Sequence, residues 1–209
     1  MSKIVVNTNV TLDGVMQGPA GPDEDPRGGF EHGGWATPYF DRVMAEQAGQ
    51  GIAQGGAFLF GRRTYELFAG SWGSIDQMRA HPIGVALNET PKYVASNTLT
   101  EPRWEHTTVL RGDLAEAITG LKAKPGGELQ VHGSGALTRW LLDNHLVDEI
   151  NLLVCPVVVG QGTRLFPDAG LDMALDLVDS RAYPKGITLQ VYRPAGRPQY
   201  ARDVPTPSR

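Results

Sequence analysis

The sequence contains very little cysteine and no long apolar run. Its single cysteine, Cys155, excludes an internal disulfide and lies within the apolar stretch 150–159, where a buried, unreactive thiol is expected. No apolar run approaches the length of a membrane span, and the first residues lead into the apolar segment 4–6 without the layout of a signal peptide. These absences predict a soluble, cytoplasmic protein in a reducing compartment.

Several motifs of common functional classes are also missing. Lys and Arg form no cluster, and the net charge of -4 argues against nucleic acid as the principal partner. The five histidines lack metal-ligand spacing, so no metal site is predicted. Neither a Gly-x-Ser-x-Gly elbow nor a P-loop is present. The net charge does not exclude a small anionic molecule as substrate, because a local cationic pocket can exist on an acidic protein.

The stretch 129–142 combines a strand, a glycine-bracketed turn and a helix. An alternating apolar run ends at Val131, the turn Gly133-Ser134-Gly135 follows, and later apolar residues repeat at helical spacing. Glycines let the backbone approach a ligand, Ser134 is a candidate helix cap, and the first free N–H groups of the helix attract an anion. A phosphate or cofactor site and a purely structural turn are both consistent with this pattern.

A second strand-to-helix turn has the same layout. Residues 57–60 form a continuous apolar run typical of a buried parallel strand, and Gly61-Arg62-Arg63-Thr64 comes directly after it. Two arginines at a helix start oppose the helix dipole unless an anion is bound there. This turn therefore favours a phosphate ligand.

The segment between the first strand and this turn predicts a lid. A Gly- and Pro-rich loop over about 14–37 is long for a compact domain, and a helix is predicted from Pro38 to about Gln47. In a functional interpretation, Trp35, Tyr39 and Asp41 form an aromatic wall and a carboxylate over a pocket. The alternative is a helix with one apolar face and solvated acids.

The remaining pattern predicts an α/β fold in one domain, residues 1–193, followed by a flexible tail, 194–209. Strands and helices alternate, which is typical of a mostly parallel sheet, and an antiparallel hairpin turns through 183–186. In such sheets the site lies beyond the carboxyl ends of the strands. The predicted elements are helices over 75–87 and 113–123, strands over 91–98, 107–110, 175–182 and 187–193, and a long strand over 150–159 that Pro156 interrupts.

The order of these motifs resembles the dihydrofolate reductase fold. The motifs are Leu-Asp-Gly after the first strand, Phe-Gly-Arg-Arg-Thr-Tyr-Glu, Lys-Tyr-Val-Ala-Ser-Asn-Thr-Leu, His-Gly-Ser-Gly-Ala-Leu, Asp-Glu-Ile and Gly-Thr-Arg-Leu-Phe-Pro. Within that fold, residues 3–193 are most similar to the C-terminal reductase domain of the bifunctional riboflavin-biosynthesis enzyme, the RibD C-terminal branch. The resemblance implies three layers, with helices on both faces of the sheet, and a homodimer. No zinc-deaminase signature is present, so the expectation is a stand-alone reductase.

The resemblance also implies NADPH as cofactor and assigns residues to it. Arg62 is the candidate for the 2′-phosphate, and Asp13 and Asp41 are candidate catalytic carboxylates. The turn Gly133-Ser134 replaces the family's glycine pair, which leaves open whether that peptide is cis. The implied cofactor residues are Gly61, Arg62, Arg63, Thr64, Ser96, Asn97, Gly133, Ser134, Gly135, Ala136 and Leu137, and the candidate substrate residues are Gly14, Met16, Trp35, Tyr39, Trp72 and Pro156.

Two functional hypotheses follow. The first is an NADPH-dependent reductase that transfers a hydride to a small heteroaromatic or carbonyl-like substrate, with the pteridine and aminouracil classes included and folate disfavoured. The alternative is a non-catalytic NADPH-binding module that acts as a sensor or an assembly partner. Both predict NADPH binding, and only the first predicts its oxidation.

Overall fold

The computed structural model describes residues 1–170 and 172–201, which fold around one eight-stranded sheet. The strand order is β4-β3-β2-β5-β1-β6-β8-β7. The strands are β1 Ile4–Thr11, β2 Gly55–Gly61, β3 Lys92–Ala95, β4 Thr107–Leu110, β5 Glu128–His132, β6 Glu149–Cys155, β7 Leu175–Ala182 and β8 Thr188–Pro194. The helices are α1 Arg42–Ala53, α2 Arg62–Ser71, α3 Asp76–Arg79, α4 Pro82–Glu89, α5 Leu114–Ala123 and α6 Gly135–Asp143.

The sheet is parallel except at its C-terminal edge. Strand β1 lies at the centre between β5 and β6, and both pairings are parallel. Strands β6, β8 and β7 pair antiparallel, and a tight turn joins β7 to β8. The α/β class, the mostly parallel sheet and the C-terminal hairpin predicted from the sequence are confirmed.

Helices cover both faces, as the resemblance implied. On one face, α5 and α6 pack against alternate residues of the central strands, including Ile4, Val6 and Leu59. On the other face, the side chains of Phe58 and Phe60 pack against α2 and α4. Because successive strand residues point to opposite faces, the continuous apolar run of β2 supplies both layers.

Several predicted helix and strand boundaries were wrong for local reasons. Helix α1 begins at Arg42 instead of Pro38, because residues 37–39 form a separate 3₁₀ turn and Asp41 caps the longer helix. The helix predicted over 75–87 is two helices, α3 and α4, because Pro82 starts a new one after His81. The strand predicted over 91–98 ends at Ala95, where the Ser96 hydroxyl accepts the N–H groups of the following turn.

The strand predicted over 150–159 ends at Cys155. Pro156 has no N–H to donate to a neighbouring strand, so it lies just outside the ladder instead of within it. Its ring is close to Gly186 in the β7–β8 turn.

Residues 195–200 remain attached to the domain, in part of the segment predicted as a tail from 194. Ala195 N–H donates to Ala174 O at 2.8 Å, and Tyr200 Oη donates to Asp172 at 2.8 Å. Residues 202–209 of the predicted tail lie outside the described residues. Within the part of the chain that the structure describes, no helix is long and apolar enough to cross a membrane.

Candidate active site

The two glycine turns predicted to bind a dinucleotide lie side by side. They follow β2 and β5, which are neighbours in the sheet and parallel. Gly61 N–H donates to Ser134 Oγ at 3.1 Å, and Ser134 N–H donates to Thr64 Oγ1 at 3.2 Å. Helices α2 and α6 therefore begin next to each other at the same edge of the sheet.

Ser134 achieves this junction in an unusual conformation. Its φ is +49°, in the left-handed region, and its side chain makes no capping hydrogen bond to α6. The predicted role of Ser134 as a helix cap is therefore wrong, because its hydroxyl is used across the junction by Gly61. The described residues contain no cis peptide bond, so the Gly133–Ser134 peptide is trans.

The junction lines a groove of about 240 Å³ with a strong positive lining. Four arginines face this groove against a single carboxylate, Asp25. Backbone N–H groups at the starts of two helices add to the same positive potential. The lining residues are Met16, Gln17, Asp25, Arg27, Gly61, Arg62, Arg63, Thr64, Ser134, Gly135, Ala136, Leu137, Arg139 and Thr163.

Met16 closes the groove over the start of α6. A Cβ atom built on Gly135 would lie 2.6 Å from Met16 Sδ, so any side chain at position 135 would displace Met16. Met16 is fixed by its own N–H, which donates to Thr163 O at 2.9 Å. Gly135 is therefore needed for the close approach of Met16 to the start of α6.

The side chain of Arg62 reaches the turn after β3 that carries the predicted cofactor residues Ser96 and Asn97. Arg62 Nη1 donates to Thr98 Oγ1 at 2.7 Å, and Arg62 Nε donates to Glu66 Oε1 at 2.8 Å. Ser96 Oγ accepts the N–H groups of Thr98 and Leu99, which shapes the turn that carries the exposed Asn97. The structure adds Thr98 to this region, a residue that the sequence analysis did not single out.

The carboxylate of Asp13 connects the end of β1 to the loop after β6. Its carboxylate accepts hydrogen bonds from Thr11 Oγ1 at 2.6 Å and from the N–H groups of Val159 and Gly160. The Thr11 hydrogen bond and these backbone donors lower the pKa of Asp13. Asp13 anchors the 159–160 loop, while neighbouring Gly14 accepts Leu165 N–H through its carbonyl.

Asp41 caps helix α1 with one carboxylate oxygen and leaves the other without a partner. Oδ1 accepts Met44 N–H at 2.8 Å, whereas Oδ2 is buried with no hydrogen bond among the described residues. Two further buried acceptors in the described chain lack partners, Asn9 Oδ1 and Asn151 Oδ1. A buried acceptor without a donor costs about 1–3 kcal/mol, so such a set is a signal for a ligand or bound water.

The two asparagines lie on the face of the sheet that α1 covers, whereas Asp41 is at the start of α1 itself. Asn7 pairs with Asn151 on one side and with His132 on the other, so their side chains share a face across three central strands. Asn151 Nδ2 donates to Asn7 Oδ1 at 3.0 Å, and Gly133 N–H donates to Asn7 O at 3.0 Å. The polar row therefore begins directly beside the Gly133 turn.

The sequence signal for this polar row was the alternation of asparagines within an otherwise apolar first strand. Residues 7, 9 and 11 are polar, whereas residues 4, 6 and 10 are apolar and face the opposite layer. Because apolar residues dominate the pattern of this strand, Asn7 and Asn9 are not among the predicted site residues.

His132 extends the row at its other end. Its Nε2 lies 3.1 Å from Gln130 Oε1, and its ring packs against Phe58 with centroids 5.7 Å apart. Burial lowers the pKa of His132 to about 4, so the imidazole is neutral at physiological pH. Gln130 Nε2 donates to Gly51 O, which attaches α1 to the sheet.

The predicted substrate residue Gly14 does not line the groove, and four others also lie outside it. Trp35 is a core residue whose Nε1 donates to Gln17 O at 2.7 Å, and Tyr39 packs in the same apolar cluster. Trp72 directly follows the last residue of α2, at the opposite end of that helix from Arg62. It packs against a separate apolar cluster that contains Phe60. Pro156 is exposed next to the β7–β8 turn. The structure thus brings Met16 to the groove but not these four.

A second cavity of about 360 Å³ adjoins the groove. It lies between the loop after β1 and the loop after β6, and it shares Gln17, Arg27 and Thr163 with the groove. Its remaining lining residues are Gly28, Phe30, Gln161 and Gly162. Four of these residues belong to the loop predicted as a lid, and none of the seven is among the predicted site residues.

The chain is similar to known proteins in both sequence and structure. The chain is 26% identical over 199 residues to the uncharacterized protein YyaP of Bacillus subtilis strain 168, which covers 91% of this chain and 94% of that protein. A putative riboflavin biosynthesis protein from Shewanella sp. PV-4 has a similar structure, with a TM-score of 0.65 at 20% identity over 92% of this chain and 98% of the other. A pyrimidine reductase-like protein from Corynebacterium diphtheriae gives a TM-score of 0.61 at 12% identity over 92% of each chain.

These two structures share the fold of the present chain, and the RibD C-terminal domain family matches residues 2–189. The resemblance inferred from the motif order is thereby confirmed. The chain belongs to the RibD C-terminal domain family.

Proposed function

We propose that this protein is an NADPH-dependent reductase that transfers a hydride to a small heteroaromatic substrate. The observation that carries the proposal is the hydrogen-bonded junction between the turns at Gly61 and Ser134, which opens on a groove lined by four arginines. Two helix starts and several guanidinium groups around one groove suit the phosphates of a dinucleotide. The reductase-like family supports catalysis over the alternative of a binding module without turnover.

The residues present fit NADPH along the whole groove. The turns at 61–64 and 133–137 would hold the diphosphate, because Gly61 and Gly133 carry no side chain that would block its approach to the backbone. Arg62 would bind the 2′-phosphate together with the turn at Ser96 and Asn97. When bound, the cofactor supplies a hydride from the nicotinamide ring.

The substrate would lie under the first turn of α1, against the polar row of the central strands. The three unpartnered acceptors there, on Asn9, Asp41 and Asn151, call for a ligand rich in N–H donors. Amino-substituted pyrimidines and pteridines have such donors on planar rings. The pyrimidine reductase-like protein from Corynebacterium diphtheriae has the same fold, in agreement with this choice.

Asp41 is the carboxyl group proposed to handle the proton in this reaction. Its cap to Met44 occupies Oδ1 and leaves Oδ2 as a buried acceptor without a partner among the described residues. Residues 17–35 would exclude water from the reacting groups, since Trp35 and Phe30 bury this loop against the domain.

Two assays test this function. We expect NADPH to bind wild-type protein, and a panel of aminouracils, pterins and carbonyl compounds to contain at least one substrate that consumes NADPH. The variant Asp41→Asn keeps the cap and should retain NADPH affinity while its turnover falls by about 10²-fold or more. Wild-type protein that binds no reduced pyridine nucleotide would contradict the proposal, and Asp41→Asn with full turnover would remove Asp41 from it.

A further inference from the structure

Arg27 lies in the loop after β1, yet it lines both the groove and the adjoining cavity. Its guanidinium is held by Asp25, whose carboxylate accepts hydrogen bonds from Nε and Nη2. This contact uses one edge of the guanidinium. The other edge, with Nη1, makes no hydrogen bond among the described residues, although about half of the side chain is buried.

The backbone that carries Arg27 is fixed in place by a buried amide. Gln17 is 6% exposed, and its Nε2 donates to Asp25 O and Arg27 O, each at 2.9 Å. Its Oε1 accepts both the N–H and the hydroxyl of Thr163, at 2.9 and 3.0 Å. Arg27 is therefore anchored to the loop after β6 before any ligand arrives.

The region between Arg27 and the start of α2 already attracts a negative charge. Burial opposes ionisation of Asp25, but hydrogen bonds and charge from Arg27, with further charge from Arg63, lower its pKa overall. Arg27 and Arg63 thus both act on the same carboxylate, and both line the groove. The space that they share is one where phosphate oxygens would also be stabilised.

We propose that Arg27 is a preformed clamp that binds a diphosphate group from the loop side of the groove, with Asp25 and Gln17 as its positioning residues. The diphosphate would lie between Arg27 and the N-terminal turns of α2 and α6. For NADPH, this inference rests on the proposed function. The clamp itself, however, would recognise any diphosphate group. Free inorganic pyrophosphate is therefore a valid probe of it.

The clamp makes a specific prediction for binding. Calorimetric titration with inorganic pyrophosphate and with NADPH should show about ten-fold weaker binding to Arg27→Ala than to wild type, with Arg27→Lys intermediate, because lysine keeps the charge but loses the planar fork. Asp25→Asn should weaken both ligands about three-fold, because the guanidinium loses its orienting partner. Melting temperatures of the free proteins should stay close to that of wild type, since Arg27 is exposed.

Arg181→Ala is the matched control. Arg181 also pairs with an aspartate two residues before it, Asp179, but it lies on the edge strand β7 and does not line the groove. Its loss should leave both affinities unchanged.

The outcomes separate the clamp from the proposed function. If Arg27→Ala binds both ligands as wild type does, the clamp is wrong and the cofactor proposal stands. If wild type binds pyrophosphate but not NADPH, the cofactor proposal fails, and the pyrophosphate affinities of the variants decide the clamp. If wild type binds neither ligand, both are overturned.

Discussion

Arg62 contacts two side chains at the end of the groove that we propose for the adenosine of the cofactor. Glu66 and Thr98 hold its guanidinium near the Ser96 turn, where the 2′-phosphate of NADPH would bind. Glu66 also competes with that phosphate for the same cation. The residue therefore combines a local helix ion pair with a proposed ligand contact, and only the second distinguishes NADPH from NADH.

Replacing Arg62 with Ala should change cofactor preference. The loss of a charge-assisted hydrogen bond to phosphate costs about 1.5–3 kcal/mol, so NADPH affinity should fall roughly ten-fold or more. NADH affinity should fall less than three-fold, because NADH lacks that phosphate. Fluorescence titration of both nucleotides measures the ratio, and equal losses would rule out Arg62 as the 2′-phosphate ligand.

His132 should make the fold sensitive to acid. Burial lowers the pKa of His132 from 6.5 to about 4, so between these values the unfolded chain binds the proton and the folded protein does not. The contribution of neutral His132 to the free energy of unfolding is complete above pH 6.5. It is lost as the pH falls towards 4, by up to about 3 kcal/mol.

Denaturant unfolding at several pH values measures this effect. His132→Gln, which cannot titrate, should flatten the pH dependence in that window, whereas His32→Gln, on an exposed loop, should keep the wild-type slope. An unchanged slope in His132→Gln would show that other groups cause the acid sensitivity.

At the scale of elements, the start of α2 depends on a hydroxyl from the turn that begins α6. Ser134 adopts a left-handed backbone and yet offers its Oγ to Gly61 N–H at the start of α2. A helix without its own side-chain cap is tolerated here because the neighbouring turn gains a hydrogen bond. The arrangement holds α2 and α6 in register around the groove.

Two substitutions of Ser134 separate the hydroxyl from the backbone strain. Ser134→Ala loses the hydrogen bond and keeps the strain, so unfolding free energy should fall by about 1–3 kcal/mol. Ser134→Gly loses the same bond but relieves the left-handed conformation, so its loss should be smaller. Denaturant unfolding checks both, with exposed Ser180→Ala as control. Wild-type stability in Ser134→Ala would mean that the Gly61 hydrogen bond does not stabilise the junction.

At the scale of the whole molecule, the sequence predicts the parallel sheet and the two glycine turns because their signals are local. An apolar strand, a small-residue turn and an arginine-led helix are all readable within about ten residues, as at 57–64. The same holds for the C-terminal hairpin, whose turn residues are adjacent.

The rest of the site depends on partners far apart in the chain. Asp13 binds N–H groups 146 and 147 residues away, and Gln17 binds Thr163, 146 residues away. Neither the anchoring role of Asp13 nor the position of Arg27 is visible in local pattern. The polar row under α1 likewise depends on the register of three strands. The homodimer and the cytoplasmic location stay predictions.

A crystal structure with NADPH bound tests the central claim most directly. The account predicts that the diphosphate lies between the starts of α2 and α6, with Arg27 on its loop side and the nicotinamide beside the Gly133 turn, facing Asn9. NADPH bound away from the Gly61–Ser134 junction, or no bound NADPH at saturating concentration, would contradict it.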